Sequence, residues 1–452
     1  MFRLQSVTDT MGKRGPYSLL AVLLSLSMTG CSMGVNVDNM LAPPKLGSEQ
    51  EQIYQALKDS AGSAISLKYP KSGSFLSAFI VQDIDGDELD EAIVFYEKTG
   101  VANAGTGLRI NVLDSIDGVW KSVCDRSAEG SEIEKVVISR LGENDRTNLI
   151  LGCSSANQSE KFVSVYSYED GYLDLTFRKN YALFDVGKTG PSENPDLVLL
   201  APASTVEQQA SAAVYQLDAQ GKYHEYLCPF KDSYTDYSQL IYGAQPDGSV
   251  TLYVDAATGT ATGAAGLQTE ILSFDGSQLV NCLEKLGRSA KDTVRRAGLY
   301  SRDIDADGTP EIPVQRVFTG YEERAEAEQL LRTDWLMMKR DQLYAEYSSY
   351  YSAGNGYVFM LPDAWHGKVT VINDAFSGEL QLCRYSGDWN AELPVMLRIY
   401  ISEDEADTNE HLAAGFHLVH TKGTAEYLVK GEDVEDLGIS VAQLVMCFKF
   451  VS

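Results

Sequence analysis

An internal repeat limits the fold of this chain more than any other feature. A β-rich run, a turn carrying Gly and a second β-rich run recur four times, about Asp117-Gly118, Asp170-Gly171, Gln220-Gly221 and Asp275-Gly276. The turn glycines are 53, 50 and 55 residues apart. Asp-Gly between alternating apolar runs signals a hairpin, because Gly supplies the positive φ of a primed turn. A weaker fifth copy runs from Trp335 through Arg340-Asp341 to Tyr344. Each hairpin follows another strand pair: residues 77–81 with 91–96 in the first copy, and 297–301 with 312–317 in the last. Four strands every 50 or so residues is the period of a propeller blade. The expectation is a mainly β chain, with a β-propeller of about five blades over residues 52–353. A small α+β domain follows at 354–452. A two-layer β sandwich of similar strand count is the rival. Within the repeat body, 52–61 reads as a short leading helix and 321–331 as a helical excursion. Residues 65–69 read as a strand that closes the ring against the last blade.

Composition narrows the partners. The 452 residues hold 64 Asp and Glu against 37 Lys and Arg, a net charge of −27. Phosphate binding needs a basic surface, so nucleic acid is excluded as a partner. Adsorption of the protein's own face to an anionic membrane is disfavoured for the same reason. Hydrophobic residues make up 44% and charged residues 22%, enough to bury a sizeable core.

The first thirty residues read as an address. Residues 19–28 (LLAVLLSLSM) form an apolar run of signal-peptide length, preceded by Lys13 and Arg14. A spanning helix would need about 20 such residues. The run ends in Leu26-Ser27-Met28-Thr29-Gly30-Cys31, which resembles the bacterial lipobox. The resemblance implies diacylglyceryl transfer to the Cys31 sulfur and cleavage after Gly30. The alternative is an ordinary cysteine after an apolar run. Removing residues 1–30 takes away Arg3, Lys13, Arg14 and Asp9 and moves the net charge to −29. Residues 31–51, with Ala42-Pro43-Pro44-Lys45 and no periodicity, read as a tether. The rest is expected outside the cytoplasmic membrane, anchored by lipid to its outer face. Six cysteines remain after Cys31 without CxxC or zinc spacing. They read as buried thiols, with disulfides left open by the even count.

Two acidic loops carry the sharpest chemical signal. Residues 83–91 (DIDGDELDE) and 303–311 (DIDADGTPE) align without gaps. Asp83, Asp85, Asp87 and Glu91 match Asp303, Asp305, Asp307 and Glu311 at relative positions 1, 3, 5 and 9. Alternate carboxylates on a tight loop converge on one point, as a hard cation with six to eight oxygen ligands requires, Ca²⁺ above all. The backbone carbonyls of Leu89 and Thr309 are candidate further ligands. The plainer reading is a pair of solvated acidic turns without metal.

These loops resemble the VCBS/FG-GAP calcium loops of integrin-α-like propellers. The resemblance implies a propeller with structural Ca²⁺ held by the eight carboxylates. That family's loop carries glycine at positions 4 and 6. Here the first loop has only Gly86 and the second only Gly308, and the middle repeats lack the acids. The run Gly356-Tyr357-Val358-Phe359-Met360-Leu361-Pro362 and the following Trp365 resemble the start of PsbP-like α+β domains, which implies a fold and no ligand. As a whole the chain resembles exported lipoproteins of anaerobic Gram-positive bacteria.

Catalytic motifs are scarce. There is no HExxH, GxSxG or P-loop. Trp120, Trp335, Trp365 and Trp389 read as core rather than as sugar platforms, and Glu403, Asp404, Glu405 and Glu410 as a solvated face. The expected function is a non-catalytic binding or scaffold module, stabilised by Ca²⁺, whose partner is an extracellular protein or glycan. The alternative is an extracellular glycan or cell-wall hydrolase using a carboxylate pair.

Overall fold

Alternation along the middle strands decides how this chain stacks. In the strand Asn144–Ser154, Leu149, Leu151 and Cys153 turn to one side and Ile150 to the other. In Asp196–Ala201, Leu197 and Leu199 face one neighbour and Val198 and Leu200 the next. In Val250–Gly259, Leu252, Val254 and Ala256 oppose Tyr253 in the same way. A period of two with both faces apolar places a strand between two sheets. The computed structural model describes residues 47–99, 107–157, 160–169, 171–190, 192–203, 209–245, 248–259, 265–339, 342–432 and 440–451. The signal segment, Cys31 and most of the tether lie outside these residues.

Six antiparallel sheets follow one another along the chain. The first comprises Phe79–Gln82, Glu91–Lys98, Arg109–Ile116 and Val119–Ser127, and the second Glu132–Leu141, Asn144–Ser154, Lys161–Glu169 and Tyr172–Asn180. The third runs Leu183–Gly187, Asp196–Ala201, Ser211–Leu217 and Tyr223–Pro229. The fourth runs Tyr237–Ala244, Val250–Gly259, Ala265–Phe274 and Leu279–Asn281, with Arg295–Arg296 added beside Ala265–Phe274. The fifth is Ile312–Val317, Leu331–Lys339, Gln342–Ser352, Tyr357–Met360 and Phe448–Phe450. The first four strands of each of these five sheets run as a meander, the blade topology, and in the first four sheets the expected hairpin forms the last turn. At Asp117-Gly118 both residues have positive φ, 55° and 75°, and Ile116 pairs with Val119, so this turn is the primed type.

Separate apolar clusters join sheets one to two, two to three, three to four and four to five. The outermost strands Val119–Ser127, Tyr172–Asn180 and Tyr223–Pro229 are largely exposed. The chain is therefore mainly β, with sheets of propeller-blade order stacked in sequence. The sixth sheet (Val369–Asn373, Leu380–Arg384, Val395–Ser402, Ala425–Gly431, His417–Lys422) packs on the fifth through Tyr357, Phe359, Trp365 and Phe448.

Several local expectations need correction. Ile65–Leu67 pairs with Tyr96–Lys98 of the first sheet, extending its first edge instead of closing a ring. Among the described residues no apolar cluster joins the first sheet to the fifth. Residues 297–301 form no strand; a single bridge between Arg302 and Glu311 takes that place. The helix expected over 321–331 is only a 3₁₀ turn at Glu326–Glu328, because buried Phe318 and Tyr321 and half-buried Leu330 are drawn into the core with Trp389. Tyr357–Met360, read as the start of the tail domain, hydrogen-bonds into the fifth sheet, and Phe448–Phe450 adds beyond it. The leading helix spans Ser48–Ala61, with Glu49 and Glu51 in its first turn and Lys58 in its last, as the helix dipole favours. The chain divides into two compact units at Tyr54–Gln55, within this helix. Glu403, Asp404, Glu405 and Glu410 are exposed, as read, and Glu405–Ala413 is a helix capped by Asp404, whose side chain accepts from the N–H groups of Ala406 and Asp407. Trp335 and Trp365 are buried, and the six described cysteines are all free.

Candidate metal centres

Both acidic loops hang between paired strand positions. Gln82 pairs with Glu91 across the first, and Arg302 with Glu311 across the second. The second residue of each loop, Ile84 or Ile304, is buried and anchors it. Its N–H donates to Glu91 Oε2 or Glu311 Oε2, at 2.9 Å in both cases. This bond folds each glutamate back beneath its own loop.

The aspartates then organise the turn. Asp83 accepts from the N–H groups of Gly86 and Glu88 at 2.6 and 3.2 Å. Asp303 accepts from those of Asp307 and Gly308 at 3.1 and 2.8 Å. Asp85 and Asp305 accept from the N–H of the residue two further on. The backbone is left-handed at positions 4 and 6 of both loops: φ is 87° and 70° at Gly86 and Glu88, and 68° and 90° at Ala306 and Gly308. The missing glycines therefore do not change the loop's path. Each loop instead holds one side-chain-bearing residue where L residues are strained.

Three carboxylates in each loop converge. One oxygen each from Asp83, Asp85 and Glu91 lies within 4.8 Å of the others, and the same holds for Asp303, Asp305 and Glu311. Among the described residues these are the two groups of three or more metal-ligating side chains. Asp87 and Asp307, expected as ligands, are not in the clusters; they accept from the N–H groups of Leu89 and Thr309 and hold the loop ends. Leu89 is exposed, while Thr309 is buried and its hydroxyl donates to the Ala244 carbonyl.

Burial and crowding raise the two glutamates. Glu91 is pushed up to about 7, by burial first, then by Asp85, Asp87 and Asp114, against the Ile84 N–H. Glu311 is pushed up to about 8, by burial and then by Asp303, Asp305 and Asp307, against the Ile304 N–H. Glu311 is fully buried, and its Oε1 has no hydrogen-bond partner.

Residues outside the motif hold the second loop in place. The Tyr347 hydroxyl donates to Asp305 Oδ2 at 2.7 Å. The loop docks on the fourth sheet, where the Ala244 N–H donates to the Gly308 carbonyl at 3.0 Å. Just upstream, a wholly buried ion pair joins Arg295 to Asp255 at 2.7 Å. Asp255 also accepts from the Ser301 N–H and hydroxyl, at 2.8 and 2.7 Å. Arg295, Asp255 and Tyr347 lie far apart in sequence and carry no motif, so no local signal marks them.

No protein-family model matches this chain, and no curated protein does. Among solved structures, the α-L-arabinofuranosidase of Fusarium graminearum with arabinobiose is similar at 9% identity, over 81% of this chain and 97% of that one, with a TM-score of 0.29. Penicillium chrysogenum α-L-arabinanase with arabinobiose is similar at 10% identity, over 81% and 97%, with a TM-score of 0.27. An exotype rhamnogalacturonan lyase is similar at 10% identity, over 64% and 63%, with a TM-score of 0.24. At these scores the sheet order of this chain, not the likeness, carries its fold.

Proposed function

We propose that this chain is a non-catalytic extracytoplasmic binding or scaffold module, tethered to a bilayer through acylated Cys31 and stapled by Ca²⁺ in its two acidic loops. The observation that carries the calcium reading is Glu311. A fully buried carboxyl with an orphan oxygen, beside Asp303 and Asp305, is costly unless a cation compensates it. With the three oxygens within 4.8 Å of one another, a small inward shift of the side chains would bring all three to Ca²⁺–oxygen distances of about 2.3–2.6 Å. Asp303, Asp305 and Glu311 would hold one ion, and Asp83, Asp85 and Glu91 a second. An ion in the second loop would fasten the fourth sheet to the fifth, since the loop is already bonded to Ala244. Calorimetry with Ca²⁺ on the purified chain, beside an Asp85→Ala/Asp305→Ala variant, tests this. Heat that disappears in the variant supports it; no heat from the wild type at millimolar Ca²⁺ sinks it.

One observation favours the glycan-hydrolase alternative. Glu134, Asp185, Asp236 and Asp303 line two adjoining cavities along the first strands of successive sheets. Hydrolysis needs one carboxyl kept protonated. Burial alone would raise Glu134, but hydrogen bonds from Ser154 and Lys71 outweigh it and hold that carboxyl below its usual range. Release of reducing sugar from cell-wall or other glycans, abolished by one Asp or Glu change, would favour this alternative over the binding module.

A further inference from the structure

The two cavities just named form one trough. One has a volume of about 500 Å³ and the other about 590 Å³, and Asp185, Gln239 and Leu240 line both. The walls come from the second, third and fourth sheets and from Tyr300–Asp303 and Pro310 ahead of the fifth, so the trough suits a linear ligand better than a compact ion. Its second half contains Arg302. The Arg302 Nε is buried and has no hydrogen-bond partner, and no carboxylate of the described residues forms an ion pair with this guanidinium. In a chain with 64 acids and 37 bases, a basic group without a carboxylate partner in a cavity calls for a reason. The loop does not supply one, because Gln82 stands at the matching place before the first loop. Arg302 is also held in register. Its N–H donates to the Glu311 carbonyl at 3.0 Å, and its carbonyl accepts from the Glu311 N–H at 2.8 Å.

We infer that the trough binds an acidic oligosaccharide, with the carboxylate of a uronic acid residue on Arg302. This deepens the binding-module reading and rests on it. A guanidinium offers a planar fork of donors that matches a carboxylate. Asp185 and Asp303 line the same cavity; they repel the double charge of a phosphate dianion more than the single charge of a uronate, and they can accept from sugar hydroxyls. Tyr300, 39% exposed, gives the cavity an aromatic face for a sugar ring. The Tyr242 ring lies so close over Gly187 that a Cβ there would fall 2.2 Å from its Cζ. In the other half, Lys135 is spent on Asp185 at 2.6 Å, while Lys161, Tyr181 and Tyr237 extend the same mixed lining.

The test is calorimetry of the purified chain with tetragalacturonic acid, its methyl ester and inorganic phosphate. The free acid should bind, and the ester about 10- to 100-fold more weakly, because the charge-assisted bonds are lost. Arg302→Gln, the residue found at the matching position, should lose a similar factor while keeping its melting temperature; Arg302→Lys should fall between. Equal binding of acid and ester, full binding by Arg302→Gln, phosphate binding as tight as the tetramer, or no binding at millimolar tetramer overturns the inference. Two readouts separate its failure from that of the proposed function. Arg302→Gln should still take up Ca²⁺ as the wild type does. New reducing ends in the tetramer solution would overturn the non-catalytic reading and leave the site standing.

Discussion

Glu311→Gln should produce two opposite effects, and both follow from one buried oxygen. The wild-type carboxyl is fully buried and pushed from 4.5 up to about 8. At pH 7 without metal, the folded chain keeps this group mostly protonated, while the unfolded chain ionises it freely. The unfolded state therefore gains about 3 kcal/mol from roughly 2.5 pH units at about 1.4 kcal/mol each. Glutamine cannot ionise, so the substitution removes that gain. It keeps an oxygen for the Ile304 N–H, now 2.9 Å from Oε2, and offers an NH₂ to Asp303 and Asp305. Chelated Glu311→Gln should melt several degrees above chelated wild type at pH 7. The sign fixes a pH signature as well. A carboxyl raised in the folded state contributes stability that is full below about 4.5 and is lost as pH rises through about 8. Chelated wild type should lose stability over that window more steeply than the variant. Added Ca²⁺ should stabilise the wild type and leave the second loop of the variant unsatisfied. Thermal unfolding by circular dichroism, with EDTA or Ca²⁺ across this pH range, measures all of it. A chelated variant less stable than wild type at pH 7, with its Ca²⁺ response intact, would refute the reasoning.

Three further outcomes follow from the same region. Glu88→Gly and Ala306→Gly, at φ of 70° and 68°, should each be neutral to stabilising by up to about 1 kcal/mol in urea unfolding, since relief of left-handed strain offsets the entropy of glycine. Asp255→Ala leaves Arg295 charged and unpaired in the interior, and should cost about 3–5 kcal/mol in the same assay. An Asp255→Leu/Arg295→Met pair should recover much of that loss. Tyr347→Phe removes one hydroxyl from Asp305 and should cost about 1 kcal/mol, with a weaker second-loop Ca²⁺ heat by calorimetry.

The repeat was legible because a hairpin is a local object. Asp117-Gly118 sits where two positive φ values are needed, and residues such as Leu149 and Ile150 announce by parity which neighbour each will meet. The loops were legible because their carboxylates are set by spacing: positions 1, 3 and 9 converge in both. Position 5 was misleading. The same short spacing that brings Asp87 and Asp307 near the clustered carboxylates also lets them cap the N–H two residues on, which they do. Ile65–Leu67 could not be placed from sequence, because three alternating residues fit any free edge. The helix Glu405–Ala413 did carry a signal, Asp404 before an acidic first turn, but without an apolar stripe it reads as plain surface charge. Residues 297–301 have a strand-like composition, yet buried Arg295 and Asp255 take their polar groups and leave no ladder to join.

The second acidic loop and the trough meet at two consecutive residues, so the proposed calcium and ligand sites would be interdependent. Arg302 lines the cavity and exchanges two backbone hydrogen bonds with Glu311, while Asp303 lines the cavity and belongs to the carboxylate cluster. Without an ion, the Asp303 charge faces an incoming uronate and opposes it. With Ca²⁺ in the loop that charge is spent, and the Arg302 backbone is held by a filled site. The coupling would therefore be positive. One like charge removed at the edge of a partly solvated cavity amounts to about 1 kcal/mol, or roughly fivefold in affinity. Reciprocity requires the tetramer to tighten Ca²⁺ binding by the same factor. Titrating tetragalacturonate in EDTA and in Ca²⁺, then Ca²⁺ with and without the tetramer, measures both arms. Affinity that is unchanged by Ca²⁺, or higher in EDTA, would separate the two sites and remove the reason for placing an arginine beside the loop.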